Sequence, residues 1–129
     1  IYIATCTKSP NFPITNSFQS NYNGDQEGCV FKMDNQLSTI FWSTFLGGSK
    51  HDGIFSLALD KESNILVTGG TISTDFPTTP NAYKNTKTDT VLPDAFITTI
   101  SNDGNSIINS TFYGEPNYHD QSYFTEYFI

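Results

Sequence analysis

The sequence predicts an all-β protein in which a four-stranded antiparallel unit occurs twice. Aromatic residues make up 15% of the chain and charged residues only 15%, and helix formers are scarce, which is typical of half-buried strands joined by polar turns. A repeat is the second reason. The hexapeptide STFLGG at 43–48 returns as STFYGE at 110–115, and a His-Asp pair follows each copy, at 51–52 and 119–120.

Four strands are predicted in the first half of the chain. Pro10 and Pro13 end the first strand, because proline has no N–H to give to a sheet. A long polar connection follows, and the polar run at 60–64 is a turn by composition. The predicted strands cover residues 1–7, 28–34, 38–46 and 54–60.

The same pattern restarts at residue 65. Residues 65–71 repeat 1–7 at an offset of 64, and 94–101 repeat 27–34 at an offset of 67, so the second long connection is three residues longer. Gly104 lies in a turn where a positive φ costs glycine little. The two remaining strands are predicted at 107–113 and 123–129.

Four short strands in a repeated unit of about 65 residues are typical of the blades of a β-propeller. We therefore predict two circularly offset blade-like repeats, at 1–64 and 65–129. Two blades do not close a ring of about four to eight, so we expect a section of a larger propeller, whose partners are other blades of the same or another chain. A two-sheet sandwich is the rival, and the repetition disfavours it.

Several runs of the chain resemble the SBBP family, the seven-bladed β-propeller repeats. The first unit departs from the family pattern at Cys6, where glycine is usual, at Gly28-Cys29, which replaces Ala-Phe, and after Thr15, where a proline is missing. The runs that carry the resemblance are FLGGS at 45–49, LALD at 57–60, NILVTGGT at 64–71, STDFPTTPNAY at 73–83 and DAFI at 94–97.

The resemblance implies an exported bacterial protein, secreted or associated with the outer membrane and the cell surface, as in Bacteroidetes. Surface display, adhesion or association with a secretion system would be its role. The family has no shared catalytic motif, so the resemblance implies no catalytic residue and no enzyme activity.

The charge of the chain excludes some partners. Its net charge is -7, and its six basic residues are all lysines that form no cluster. Because binding to a phosphate backbone needs a basic patch, nucleic acid is not an expected partner. No apolar run approaches the ~18 residues of a membrane helix, so membrane insertion is not expected.

The two long connections are the predicted binding loops. They are polar and differ between the two units, as recognition loops on a rigid scaffold do. The candidate residues are Tyr22, Asn23, Tyr83, Lys84 and Tyr118. We expect a protein partner at the cell surface; the alternative is a glycan, on whose sugar rings the tyrosines would stack.

The motifs with possible chemistry have simpler structural interpretations. The repeated His-Asp pairs lack a third ligand or a nucleophile, so a loop aspartate that bonds to backbone amides is favoured over metal binding or catalysis. The repeated Phe-Pro motifs at 11–13 and 75–77 are expected to cover a sheet edge rather than form a recognition surface. No cofactor is expected. Calcium is a minor possibility at two polar turns, with the oxygens of Asp60, Glu62 and Asn64 or of Asn102, Asp103 and Asn105.

The sequence leaves open whether the two cysteines form a disulfide. Cys6 ends the first predicted strand and Cys29 begins the next, so in an antiparallel pair they come close enough for a disulfide. The alternative is two small apolar thiols.

Overall fold

The computed structural model describes residues 1–114, which form seven strands and no helix. The all-β prediction is therefore confirmed for this part of the chain, and the predicted strand at 123–129 lies outside it. The strands are β1 (Tyr2–Thr7), β2 (Glu27–Met33), β3 (Ile40–Leu46), β4 (Asp52–Leu59), β5 (Ile65–Thr71), β6 (Asp94–Ile100) and β7 (Ile107–Tyr113).

The strands form two antiparallel sheets, with the orders β1-β2-β3 and β4-β5-β6-β7. In each sheet every strand pairs with its neighbour in sequence, as in a meander. The chain crosses from one sheet to the other between β3 and β4, so the predicted first unit, 1–64, contributes its last strand to the second sheet. One sheet thus has the four predicted strands, and the other has three among the described residues.

All seven described strands match their predicted bounds within two residues, and the two largest differences have local causes. β3 begins at Ile40 and not at residue 38, because Ser38 is held in a turn. The backbone N–H and the hydroxyl of Ser38 donate to the Asp34 carboxylate at 2.8 and 2.6 Å. β4 begins at Asp52, two residues before its predicted start. Here the backbone pairs with the two glycines of β5. Glycines do not produce the alternation of apolar and polar residues by which a strand is recognised in a sequence.

One hydrophobic cluster spans both sheets. The first sheet contributes Val30, Trp42 and Leu46, and the larger share comes from the second sheet and its long loop. Those further residues are Ile54, Ile65, Val67, Phe76, Phe96, Ile100 and Phe112.

The Phe-Pro motifs pack onto the sheets. Phe76 is 3% exposed, and its ring centroid lies 4.3 Å from that of Phe96. Phe12 is half-buried and lies 5.5 Å from Phe31. These two rings are part of the packing of each long loop, as expected for a covering role.

Candidate binding surface

The long connection between β1 and β2 is fixed along β3, mainly by Ser43. Its Oγ donates to Pro13 O at 2.6 Å and accepts from Thr15 N at 3.0 Å. Thr15 and Ser43 also exchange backbone hydrogen bonds of 3.3 and 2.8 Å. Further along, Gln19 N donates to Thr44 Oγ1 at 3.1 Å.

The connection between β5 and β6 is fixed to β7 in the same way. Ser110 Oγ donates to Pro77 O at 2.7 Å, and Thr79 N donates to Ser110 O at 3.0 Å. Lys84 N donates to Thr111 Oγ1 at 2.9 Å. The repeat in the sequence is therefore also a repeat of contacts between side chains and backbone, and both loops are held on a rigid frame.

The first loop uses its two candidate residues within the fold. Tyr22 is half-buried: its hydroxyl donates to Asp25 O at 2.7 Å, and its ring meets that of Phe45 edge-on at 5.7 Å. Asn23 is exposed, and its backbone N–H donates to Glu27 Oε1 at 3.0 Å. Only the side chain of Asn23 is thus presented outward.

The second loop presents an aromatic pair. Tyr83 is 81% exposed, and its ring lies 6.2 Å from that of Tyr113, which is 62% exposed. No sequence pattern selects Tyr113, because only the pairing of β7 with the loop brings it to this surface. The third candidate tyrosine, Tyr118, lies outside the described residues.

Two buried carboxyl groups meet where the first sheet leads into the second. Glu27 and Asp52, at the starts of β2 and β4, are 0% and 1% exposed. A Cβ at Gly47 would collide with Glu27 Oε2 and would come 2.6 Å from Asp52 Oδ2. This junction therefore requires glycine at position 47.

The partners of Glu27 are uncharged. Its Oε1 accepts from Gly24 N at 2.9 Å in addition to Asn23 N, and its Oε2 accepts from Gln19 Nε2 at 3.3 Å. Burial raises the pKa of Glu27 to about 7, and the Asp52 carboxyl adds to the rise, while the hydrogen bonds oppose it.

Backbone and side-chain donors hold Asp52 in place. Its Oδ2 accepts from Gly48 N at 2.7 Å and from Ser73 Oγ at 2.9 Å. Burial raises the pKa of Asp52 above its ordinary value, although hydrogen bonds from the Thr71 side chain, from Gly48 and from Ser73 oppose the rise. The two glycines of the repeated hexapeptide therefore form a bend around carboxyl groups.

The second sheet has the counterpart of this junction with a different chemistry. Asp94 occupies the place of Glu27, and Lys84 occupies that of Gln19. Lys84 Nζ donates to Asp94 Oδ2 at 2.8 Å and to Gly114 O at 3.0 Å. The candidate binding residue Lys84 is thus engaged in an ion pair of the framework.

The side chains weighed for metal or acid–base chemistry do not come together in the part of the chain that the structure describes. His51 is exposed, and its Nε2 lies 3.8 Å from Asp25 Oδ2; His119 and Asp120 lie outside the described residues. Within residues 1–114, no group of three His, Cys, Asp or Glu side chains could hold a metal ion.

The carboxylates of the two polar turns bind backbone and side-chain donors. Asp60 accepts from Glu62 N at 2.9 Å and Asn64 N at 2.8 Å, and the pKa of Asp60 is lowered by hydrogen bonds, above all from the Asn64 side chain. Asp103 accepts from Ser101 Oγ at 2.6 Å in the same manner. Both carboxylates stabilise turns.

The two cysteines are free thiols on opposite faces of the first sheet. Cys6 pairs with Gly28, and Cys29 pairs with Thr5. Because neighbouring residues of a strand point to opposite faces, a bridge would need a shift of register by one residue. The pairing of β1 with β2 was predicted, but its register could not be read from the sequence.

A cleft of about 640 Å³ lies between the first sheet and two turns of the second, β4–β5 and β6–β7, and the sequence patterns do not reveal it. Among its lining residues, Lys32 Nζ lies 5.0 Å from the centre of the Tyr2 ring. Trp42 Nε1 of β3 donates to Asn102 O in the β6–β7 turn at 3.1 Å, which joins the two sides of the cleft. Its lining residues are Tyr2, Asn16, Lys32, Phe41, Trp42, Ser63, Asn102, Asp103 and Asn105.

Comparison with known proteins adds no relative. No family model and no curated protein matches the chain. The resemblance to the SBBP repeats therefore stays a prediction that rests on the residues themselves. Among residues 1–114, no helix is long and apolar enough to cross a membrane.

Proposed function

We propose that the chain is a section of a non-enzymatic β-propeller in an exported or cell-surface protein, and that it is a scaffold for protein interaction or display. The observation that carries the proposal is the repeated fixing of a long loop along an outer strand. Ser43 and Ser110 make the same bond to a proline carbonyl, at 2.6 and 2.7 Å. A frame of this kind holds loops of different sequence in equivalent places.

The variable part of the second loop is the better candidate for the contact with a partner. Tyr83 and Val91 are 81% and 75% exposed, whereas Tyr22 of the first loop is committed to internal contacts. Exposed aromatic side chains are enriched where protein partners bind. We therefore place the partner-binding surface at Tyr83, Tyr113 and Val91.

The test is a binding titration with variants of this surface. Surface proteins of the source cell that the tagged chain captures would be purified and titrated against the wild type, Tyr83→Ala and Val91→Ser. We expect at least a tenfold loss of affinity for Tyr83→Ala, the size of a binding hot spot. Leu59→Ala is the control, because Leu59 is 44% exposed on β4. Equal affinities for all variants would remove this surface from the proposal.

A carbohydrate-binding propeller is the second candidate function. The observation that favours it is the exposed Tyr83–Tyr113 pair, whose rings are inclined by 35° and offer apolar faces to a sugar ring. A glycan array probed with the wild type, Tyr83→Ala and Tyr113→Ala tests it. Binding that the alanine variants lose supports a glycan ligand, and an array without any binding removes this candidate.

A further inference from the structure

The cleft between the first sheet and the turns of the second has the dimensions of a ligand site. Its volume of about 640 Å³ lies within the range of about 300–1,000 Å³ that is usual for small-molecule pockets. Both sequence units contribute lining residues, and all of them belong to the described part of the chain. Neither Tyr83 nor Tyr113 is among them, so the cleft is separate from the exposed tyrosine pair.

The first sheet lines the cleft with aromatic rings. Phe41 is 50% exposed, and the ring centroid of the buried Trp42 lies 6.5 Å from that of Tyr2. β3 has a bulge here, and Phe41 is the extra residue that it inserts. Because a bulge re-aims side chains, neighbouring residues of one strand can line the same cleft. This side of the cleft therefore offers apolar ring faces to a ligand.

The β6–β7 turn lines the other side with polar groups that are already held in place. Asn102 accepts the hydrogen bond from Trp42 Nε1. Asp103 Oδ1 accepts from Ser101 Oγ at 2.6 Å and from Asn105 N at 3.1 Å. A carboxylate has about four acceptor sites, more than these bonds occupy. The turn thus presents a fixed acceptor, and fixed groups lower the entropy cost of binding.

The cleft contains one cation and one anion. Lys32 is half-buried, and its ammonium group faces the Tyr2 ring. On the other side is the exposed carboxylate of Asp103. An ionic ligand would meet one like charge together with one opposite charge. An uncharged ligand with several hydroxyl groups can instead use the ammonium as a donor and the carboxylate as an acceptor.

The second sheet shows that its frame does not need these side chains. It has neither a ring nor a charge at the places equivalent to Tyr2, Lys32 and Phe41. Its residues there are Leu66, Thr99 and Ile108. Both sheets nevertheless have the same antiparallel pairing and the same bulge. The rings and the ammonium group are therefore a property of this cleft and not of the repeated sheet.

We propose that the cleft binds a neutral hexose unit of a glycan. The apolar face of the sugar stacks on Phe41, one hydroxyl accepts from Lys32 Nζ, and another donates to the Asp103 carboxylate. The proposal rests on the second candidate function, carbohydrate binding, and gives it a ligand class and a place. The scaffold function does not depend on it.

Titrations with sugars of known charge test the ligand class. Calorimetry gives the affinity, and the fluorescence of Trp42, the one tryptophan of the chain, shows whether the sugar enters the cleft that it lines. The neutral probes are tetrasaccharides of glucose, galactose and mannose, and the charged probes are tetrasaccharides of galacturonic acid and glucosamine. We expect a neutral probe to bind, to change the Trp42 signal, and to bind more tightly than either charged probe.

Variants that carry the residues of the second sheet test the place. Lys32→Thr removes the ammonium group and Phe41→Ile removes the ring, and we expect each to weaken binding about tenfold. Both replacements occur at the same register in the second sheet, so the urea midpoint should stay close to that of the wild type. Tyr83→Ala is the matched control and should bind the sugar as the wild type does.

Three results would overturn the proposal: no binding of any neutral probe, tighter binding of a charged probe, or binding that leaves the Trp42 signal unchanged. Wild-type affinity in both cleft variants would overturn it as well, and a loss in Tyr83→Ala would then assign the glycan to the exposed tyrosine pair. If urea unfolding shows that one cleft variant does not fold, the other variant decides. The titration of a protein partner against Tyr83→Ala tests the scaffold function separately.

Discussion

Two turns have a residue in the left-handed backbone conformation at the same place, and the two residues differ. Leu37 has a φ of 57°, and Gly104 has a φ of 75°; they occupy equivalent places in the β2–β3 and β6–β7 turns. A non-glycine residue there costs about 1–2 kcal/mol, whereas glycine costs about 0.5–1 kcal/mol in backbone entropy. Leu37 is 57% exposed and gains little from burial, so the first turn is strained.

We therefore expect Leu37→Gly to raise the free energy of unfolding by up to about 1 kcal/mol. Gly104→Ala should lower it, because the added Cβ would collide with the Trp42 ring in addition to the strained φ. Urea unfolding followed by Trp42 fluorescence measures both. Gln36→Gly, in the same turn, is the control and should lose about 0.5–1 kcal/mol. Equal effects of Leu37→Gly and Gln36→Gly would contradict the account of strain.

The two cysteines should differ in reactivity. Cys29 is 0% exposed, and burial raises the pKa of its thiol to about 12, with smaller contributions from Cys6 and Glu27. Cys6 is exposed. A thiol reagent should label one cysteine per chain in the native state and two after unfolding in urea. Labelling of neither in the native chain would indicate a disulfide and contradict the register of β1 and β2.

The sequence is a good guide to some residues and a poor one to others. Gly104 was predicted in a turn because its sequence neighbours are turn residues, and its positive φ confirms the prediction. The strain at Leu37 gives no such signal. The separation of Cys6 and Cys29 onto two faces also escapes prediction, because it depends on how β1 and β2 are aligned in register.

At the scale of the elements, one serine fixes each long loop to its outer strand. Removing Ser43 Oγ or Ser110 Oγ leaves a proline carbonyl without its donor. We expect Ser43→Ala and Ser110→Ala each to lower the free energy of unfolding by about 1–2 kcal/mol. The effects should add in the double variant, because the two sites lie in separate sheets.

Chemical denaturation measures these losses, and amide exchange localises them. The N–H groups of Thr15 and Thr79 should exchange faster in the variant of their own loop only. Ser20→Ala, at an exposed position of the first loop, is the control and should change stability little. Loss of protection in both loops from a single variant would show that the loops are not fixed independently.

The elements themselves were predictable because strands and turns have local signatures. β5 and β7 have the predicted bounds, Ile65–Thr71 and Ile107–Tyr113, where apolar residues are framed by turn residues. The residues that fix the loops were not predicted, since Ser43 and Pro13 are distant in sequence. Their repetition as Ser110 and Pro77 was visible, but its reason is a three-dimensional contact.

At the scale of the whole molecule, the two glycine bends each contain a carboxyl group, but the group has a different partner in each bend. Both bring a carboxyl group against a glycine. Asp94 is paired with Lys84 at 2.8 Å, whereas Glu27 has the uncharged Gln19 at 3.3 Å. The alignment of Glu27 with Asp94 was predictable from the repeat. That of Gln19 with Lys84 was not, because the two long connections differ in length.

This difference makes the junction between the sheets sensitive to pH. The pKa of Glu27 is raised from 4.5 to about 7 in the folded chain, so between these values the folded state binds a proton that the unfolded state has released. Stability should therefore be greatest below about pH 4.5 with respect to this group and should fall as pH rises to about 7, by roughly 3 kcal/mol. The raised pKa of Asp52 adds a decline of the same sign.

A lysine at position 19 should give the first junction an ion pair like that of the second. In Gln19→Lys the ammonium group would lie near Glu27 as Lys84 lies near Asp94, and it would lower the pKa of Glu27, since a nearby cation favours the carboxylate. Urea unfolding between pH 4.5 and 8 should then show a smaller decline for Gln19→Lys than for the wild type. Glu27→Gln, which cannot titrate, should also flatten the curve, and the exposed Lys61→Gln should leave it unchanged. A wild-type stability that rises over this range would contradict the raised pKa of Glu27 and would mean that the folded chain stabilises Glu27 as the carboxylate.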